Sequence, residues 1–460
     1  MDASQCPGCL ERDARIAALE ARVAELEARL HDLTKPPTAP RPFVALPKGP
    51  AKKPTGRKPG GQPGHPPHLK QLLPIERVNE IVRFVPSQCE YCQTPLPQAS
   101  SEDDPPPMRH QVVELPDVTA RVTEYQGHAR TCPCCGKVTL AFVPEEIRAH
   151  SVGPKLTSAF SYLVGCQGVS KRGVEEISQV LFDAPVSLGT VANLEQEMSE
   201  ALAPAHQEAL DAVQQAPVKN VDETGWKQAG HKRWLWVAAT AQVVAFIIHT
   251  LRNATALRQL LGATLSGIVC SDRWRAYDEV PILHRQVCWA HLQRNWEKML
   301  ERGGKAKEIA QACLQIHDRV FEVWHLYRGG GCTWQTMDDQ MATLMLSLLD
   351  ILRHGEHCRD AKTRRFCARL LRVFPALWTF VVVEGVEPTN NHAERVQRRA
   401  VLWRRRSFGC HSANGCRFVE RILTVVETLR LQQRSVLQFL HQAVTAHRNT
   451  QPSPKLVLGG

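Results

Sequence analysis

The sequence lacks an apolar run at its start: the first residues, MDASQCPGCLERDARI, hold no apolar core and are not expected to act as a secretory leader. It also lacks an apolar run long enough for a membrane helix. The longest uncharged stretch, Trp234 to Thr250, is interrupted by Gln242 and rich in β-branched and aromatic residues, which fits a β-hairpin better than a span. Acid is missing from residues 34–68, where eleven prolines and seven Lys or Arg leave nothing with which to build a core. That stretch is expected to be a solvated, extended linker. Disulfides are not expected either. Sixteen cysteines without a leader suit a reducing, cytoplasmic compartment and metal ligation.

What is present is length and positive charge. A chain of 460 residues exceeds one core and suggests two to four domains. An excess of 57 Lys and Arg over 46 Asp and Glu leaves +11, which favours a polyanionic partner. Ile16, Leu19, Val23, Leu26, Leu30 and Leu33 alternate at spacings of three and four, predicting a coiled-coil helix over 10–33 and a homo-oligomer. The seam is short, so a helix packing on its own protein is the other reading. Within the linker, Arg57 and Lys58 of GRKPGGQPGH could enter a DNA minor groove, or could simply keep the linker soluble.

Cys89-Glu-Tyr-Cys92 and Cys132-Pro-Cys-Cys135 follow, separated by strand-like runs QVVEL and ARVTEY. Two C-x-x-C knuckles are the pattern of a tetrahedral thiolate site, so 69–149 is expected to be a module holding structural Zn²⁺. Residues 150–215 have helix-turn-helix rhythm. The second helix carries Glu195, Glu197 and Glu200 and no Lys or Arg, so a purely structural helical unit competes with a base reader.

From Val218 the order reads strand (VKNVDETGW), strand (KRWLWVAAT), strand (VVAFIIHT), helix (NATALRQLLG, capped by Asn253), strand (GIVCSD), short helix (WRAYD), strand (HRQVC). This is the order of a ribonuclease H-like α/β fold, in which the first and fourth strands are neighbours. Asp222 and Asp272 would then face each other. Two close carboxylates repel, and a divalent cation resolves the repulsion. Two Mg²⁺ (or Mn²⁺) ions could clamp the attacking and leaving oxygens of a phosphodiester. Such a site wants a third carboxylate from a helix on the sheet. Glu394 fits, just after a helix start at Pro388, Thr389 and Asn390. Arg395, Arg398, Arg399, Arg404, Arg405 and Arg406 would meet the DNA backbone. The competing reading of Glu394 is an ion pair with Arg398.

Glu223 points to the opposite face of its strand and could be a solvated charge. Cys288 and His291, in CWAH, are either a packed Cys and a hydrogen-bonded His, or a pair near the site with His291 touching phosphate. Residues 292–386 read as an all-α insertion whose Trp324, Trp334 and Trp378 belong to a core, unless one stacks on a flipped base. The catalytic core is thus expected over 216–291 and 387–411, with C-terminal helices and tail over 412–460.

The motifs GRKPGGQPGH, the paired knuckles, VDETGW, SDRWRAY, CWAHLQRNW and PTNNHAERVQRRAVLWRRRSFG, in that order, resemble the DDE transposases of the insertion-sequence sixty-six (IS66) family. The resemblance implies an acidic triad of Asp222, Asp272 and Glu394. It further implies cleavage of element ends at terminal inverted repeats and joining to target DNA, a bacterial, nucleoid-associated setting, and accessory proteins of the same element. A non-catalytic, domesticated DNA-binding regulator and a host nuclease of the same fold are the alternatives.

Overall fold

The computed structural model describes residues 72–458 apart from 103 and 117. The helix expected over 10–33, the linker, Arg57 and Lys58 lie outside the described residues.

Residues 72–151 bury no described side chain. Two short strands, β1 (Ala129–Thr131) and β2 (Val138–Leu140), pair antiparallel, and Cys132 to Cys135 form the turn between them. The runs QVVEL and ARVTEY, expected to be strands, join no sheet. Their apolar residues, among them Val112 and Val122, stay exposed, so nothing rewards pairing there. A single turn, α1 (Glu145–Arg148), leads to α2 (Pro154–Gln167), α3 (Lys171–Phe182), α4 (Leu188–Ala201) and α5 (Ala203–Gln215). Ser170 and Ser187 cap α3 and α4 by accepting from the amides of Gly173 and Thr190. Two acids of α4 are occupied internally: Glu195 pairs with Lys171 at 3.0 Å, and Glu197 with Arg448 at 2.8 Å.

The sheet comprises β3 (Val218–Gln228), β4 (His231–Ala239), β5 (Val244–His249), β6 (Ile268–Ser271) and β7 (Arg285–Val287), in the order β5-β4-β3-β6-β7. The first three strands are antiparallel neighbours, while β3–β6 and β6–β7 are parallel. The first and fourth strands therefore lie side by side, as the sequence order suggests. Between β5 and β6 runs α6 (Ala254–Leu261), capped by the Asn253 side chain. The helix expected at WRAYD is a 3-10 turn over Arg275–Glu279 that buries Tyr277.

Strand alternation decides what β3 presents to each side. Lys219, Val221 and Glu223 are buried on one face, and Asn220, Asp222 and Thr224 lie on the other. After β7 come α7 (Trp289–Leu300), α8 (Gly304–Arg328), α9 (Trp334–Glu356), α10 (Ala361–Arg372) and a short α11 (Thr379–Val382). They build a second core with β6 and β7, centred on Trp289, Trp296, Ile316 and Leu352. Trp324 and Trp378 belong to it. Trp334 does not: it is 42% exposed, its indole N–H donating to the Val381 carbonyl.

The chain returns through α12 (Asn391–Ser407), α13 (Ala413–Leu431) and α14 (Val436–Arg448). One core joins the sheet, α2 to α5 and these last helices, so the segments 150–215 and 412–460 pack together. The open edge of β5 is covered by α13: Glu420, Thr424 and Thr428 accept from the amides of Ile248, Phe246 and Val244. Side chains four apart on a helix thus satisfy every second amide of an edge strand.

Candidate active site

The β3–β6 register pairs Val218 with Ile268, Lys219 with Val269 and Asn220 with Cys270. The same offset carried two residues further sets Asp222 level with Asp272, just past the last residue of β6. Asp222 Oδ1 accepts from the Glu223 amide at 2.9 Å. Asp272 Oδ1 accepts from the Trp274 amide at 2.8 Å, and the Asp272 carbonyl is held by Arg285 and Ser271. Burial pushes the Asp222 carboxyl up to about 8. The negative charges of Glu223, Asp272 and Glu394 add to the shift, against the pull of the Glu223 amide.

Glu394 sits in the first turn of α12, and its position depends on an unexpected contact. Asn390 is the residue before the helix, as expected, but its side chain does not cap it. It donates instead to the Val221 carbonyl at 2.8 Å and accepts from Asn220 at 3.0 Å. The Asn390 amide donates to Cys288 Sγ at 3.1 Å, and the Trp289 amide to the Pro388 carbonyl at 2.9 Å. The starts of α7 and α12 are therefore locked together against β3. Cys288 is a buried acceptor whose thiol is pushed up by burial.

This packing brings α7 to Glu394. Arg294 lies 3.2 Å from both carboxylate oxygens, and His291 Nε2 3.6 Å from one of them. The ion-pair partner of Glu394 is thus Arg294, one hundred residues away, rather than Arg398. His291 has its imidazole held below the ordinary range by burial, with Glu394 and Asp272 acting the other way. Its Nδ1 is buried without a partner. Arg294 was not singled out from the sequence, although its place one turn after His291 puts both on one helix face.

Gln397, one turn after Glu394, was also missed. A carboxylate accepts and an amide N–H donates, so the Gln397 side chain has one consistent orientation. Its nitrogen then donates to Asp222 Oδ2 at 3.2 Å and its oxygen accepts from Thr224 N at 3.3 Å. Glu223 is not solvated. Its side chain is buried against Arg252 at 2.7 Å and the Tyr277 hydroxyl, and burial raises its carboxyl.

The six arginines divide. Arg399 pairs with Glu427 at 2.6 Å, Arg404 binds Thr224 and the Gly225 carbonyl, and Arg406 donates to the Gln167 carbonyl at 2.6 Å. Arg395, Arg398, Arg405 and also Arg406 are exposed, and Arg395 lies 3.4 Å from His392 Nδ1.

The two knuckles share one turn geometry. The Cys89 amide donates to the Thr94 carbonyl at 2.9 Å and the Gln93 amide to the Cys89 carbonyl at 3.0 Å. The Cys132 and Gly136 amides repeat these contacts with Lys137 and Cys132 at 2.8 and 2.9 Å. Gln93 and Gly136 both take the left-handed conformation that closes the turn. The Cys92 thiol is lowered chiefly by the Thr94 hydroxyl, and the Cys132 thiol by the amides of Cys135 and Cys134. Among the described residues, no three His, Cys, Asp or Glu converge closely enough to ligate one ion, at the knuckles or at the carboxylates.

The model of the family described as "Transposase IS66 family" matches residues 150–417, from α2 through the sheet and insertion to α13. The chain belongs to this family. Over 240 residues, 46% of the chain, it is also 23% identical to "Uncharacterized protein y4qI" of Sinorhizobium fredii (strain NBRC 101917 / NGR234). That stretch is 43% of the relative's length. The family match encloses Asp222, Asp272, His291, Arg294 and Glu394, whereas both knuckles lie before it. Among the described residues, no helix is long and apolar enough to cross a membrane.

Proposed function

We propose that this transposase-family chain cleaves double-stranded DNA at the terminal inverted repeats of an insertion sequence and joins the ends to target DNA. The fold in this reading is ribonuclease H-like, which the order β5-β4-β3-β6-β7 supports. Asp222, Asp272 and Glu394 are the site. The observation that carries the reading is the β3–β6 register, which sets the half-buried Asp222 level with Asp272; burial and the charges of Glu223, Asp272 and Glu394 push the Asp222 carboxyl up to about 8. The three carboxylates do not converge on one point as they stand, but an all-oxygen donor set of this sign suits Mg²⁺ or Mn²⁺, and Asp222, Asp272 and Glu394 would hold two ions by drawing together around them. The cations would supply an activated water and charge stabilisation at the leaving oxygen.

The chain's own groups do the rest. Arg294 holds the Glu394 carboxylate, and His291, whose imidazole burial holds below the ordinary range, stands beside Glu394 where a phosphate oxygen would meet it. Arg395, Arg398 and Arg405 are free to contact the backbone of bound DNA. Ahead of the core, Cys89, Cys92, Cys132 and Cys135 would hold structural Zn²⁺. Their matching turns and two lowered thiols fit thiolate ligation, and a segment that buries nothing needs an ion more than a packed domain does. A homo-oligomer built through residues 10–33, accessory proteins of the element and a cytoplasmic, nucleoid-associated setting complete the proposal.

The test is incubation of the full chain with labelled element ends and Mg²⁺, followed by sequencing of the products. Wild type should yield cleaved and joined strands, and Glu394→Gln should lose cleavage by orders of magnitude while still binding DNA. Cleavage by Glu394→Gln near the wild-type rate would remove Glu394 from the site. Cleavage by wild type without joining would indicate a nuclease.

A further inference from the structure

Strand β3 is eleven residues long, yet β6 pairs with it only over Val218–Asn220. Beyond Asn220, among the described residues, no strand lies beside this edge of β3, at the very point where Asp222 stands. Alternate residues of a strand aim their backbone groups to the same side. On this side the Val221 carbonyl accepts from Asn390 Nδ2 (2.8 Å), the Gly225 carbonyl from Arg404, and the Lys227 carbonyl from the Cys410 amide (2.9 Å). Gln397 lies between them, bridging Asp222 and Thr224. At the far end the backbone comes so close that a Cβ on Gly409 would collide with the Lys227 carbonyl.

Asn390, Gln397 and Arg404 are seven residues apart. Two helical turns separate each from the next, so they form one stripe along α12. Glu394 is one turn before Gln397 on the same helix.

We propose that Asn390, Gln397 and Arg404 form a polar seam that stands in for a missing strand along β3, and that this seam sets Glu394 opposite Asp222. Gln397 is then a positioning residue. It touches the Asp222 carboxylate directly and belongs to the helix that carries Glu394. The inference rests on the reading of Asp222 and Glu394 as ligands of a divalent cation. A group that orients a ligating carboxylate through a hydrogen bond typically changes metal affinity ten- to a hundred-fold when removed, with no contact of its own to the ion.

The experiment measures Mn²⁺ binding by electron paramagnetic resonance on the full chain without DNA, alongside thermal unfolding. Asp222→Asn defines which binding belongs to the site. Gln397→Met keeps the length of the side chain and removes both bonds. The Asp222-dependent Mn²⁺ affinity should fall at least tenfold, whereas Leu402→Ala, at an exposed position of the same helix, should bind as wild type does. If Gln397→Met does not fold, Gln397→Ala, which leaves room for water beside Asp222, is read in the same way. A folded Gln397 variant with wild-type Mn²⁺ affinity and only a lower melting temperature makes the seam merely structural and overturns the inference. A wild type that binds Mn²⁺ no better than Asp222→Asn overturns the metal reading instead.

Discussion

Asp222→Asn should make the metal-free protein more stable at neutral pH, and by an amount that depends on pH. The Asp222 carboxyl is pushed up to about 8 from an ordinary value of 3.8. An acid whose pKa is raised on folding contributes fully below its unfolded value, and the contribution is lost as pH rises through the folded one. Between roughly pH 4 and pH 7 the wild type should therefore lose up to about 4 kcal/mol relative to a variant that cannot ionise there, at about 1.4 kcal/mol per unit. Asparagine carries its own cost. Its NH₂ meets a donor at either oxygen position, the Glu223 amide or the Gln397 amide nitrogen, and one mismatched bond costs about 1–3 kcal/mol. That cost is nearly independent of pH, so the difference between the two proteins isolates the carboxyl. Denaturant midpoints at pH 4.5 and 7.5 on metal-free protein give that difference; titrating groups remote from Asp222 cancel within it, and what is left is the carboxyl together with its coupling to Glu223, Asp272 and Glu394. Saturating Mg²⁺ should then restore the wild type and leave the variant unchanged, because a ligand stabilises only the state that binds it. A difference that does not vary with pH would mean that Asp222 is not a buried, uncompensated carboxyl, and the case for a cation there would go with it.

Arg399→Ala should destabilise by about 1–3 kcal/mol, since it takes from the largely buried Glu427 carboxylate its partner at 2.6 Å and leaves only Arg430 at 3.3 Å, whereas Arg398→Ala should leave the melting temperature alone and weaken DNA binding with a flatter salt dependence. Freshly purified protein should hold about one equivalent of zinc that Cys89→Ser loses, and metal analysis finding none would end the zinc assignment. Leu19→Asp combined with Leu26→Asp should weaken self-association in sedimentation; an unchanged oligomer would mean that this helix packs within its own chain.

The sheet was legible because its signals are local. Each strand of the VKNVDETGW, KRWLWVAAT and VVAFIIHT series is marked by its own β-branched and aromatic content, and Asn253 and the glycines after Arg328 mark helix ends by themselves. QVVEL and ARVTEY carry the same local signal and form no strand, since strand propensity describes a half-buried surface and nothing in that region is buried. Contacts across long separations left no trace to read. Arg294 reaches Glu394 over one hundred residues, Asn390 reaches Val221 over 169, and Arg399 reaches Glu427 only after two helices fold onto the sheet. Six consecutive-looking arginines give no sign of which are turned inward, because that depends on the face α12 buries.

The division of those arginines follows from helix geometry. At about 100° per residue, Asn390, Gln397 and Arg404 share the side of α12 that lies on β3, and Arg398 and Arg405 fall on the side beyond Glu394. Arg399 and Arg406 continue round to the core and to α2, where they bind Glu427 and the Gln167 carbonyl. Glu394 thus stands at the border between a stripe that grips the sheet and a stripe of free positive charge. In the proposed reaction that border is where a phosphate must lie, with its charge met by Arg398 and Arg405 and its scissile bond beside the carboxylates. Moving Glu394 by one residue along the helix would turn it about 100° and take it off that border, whatever the charge around it. One carboxylate amid six arginines is therefore a statement about angle: the same helical turn that sends Gln397 to Asp222 sends Glu394 to the edge of the exposed arginine stripe.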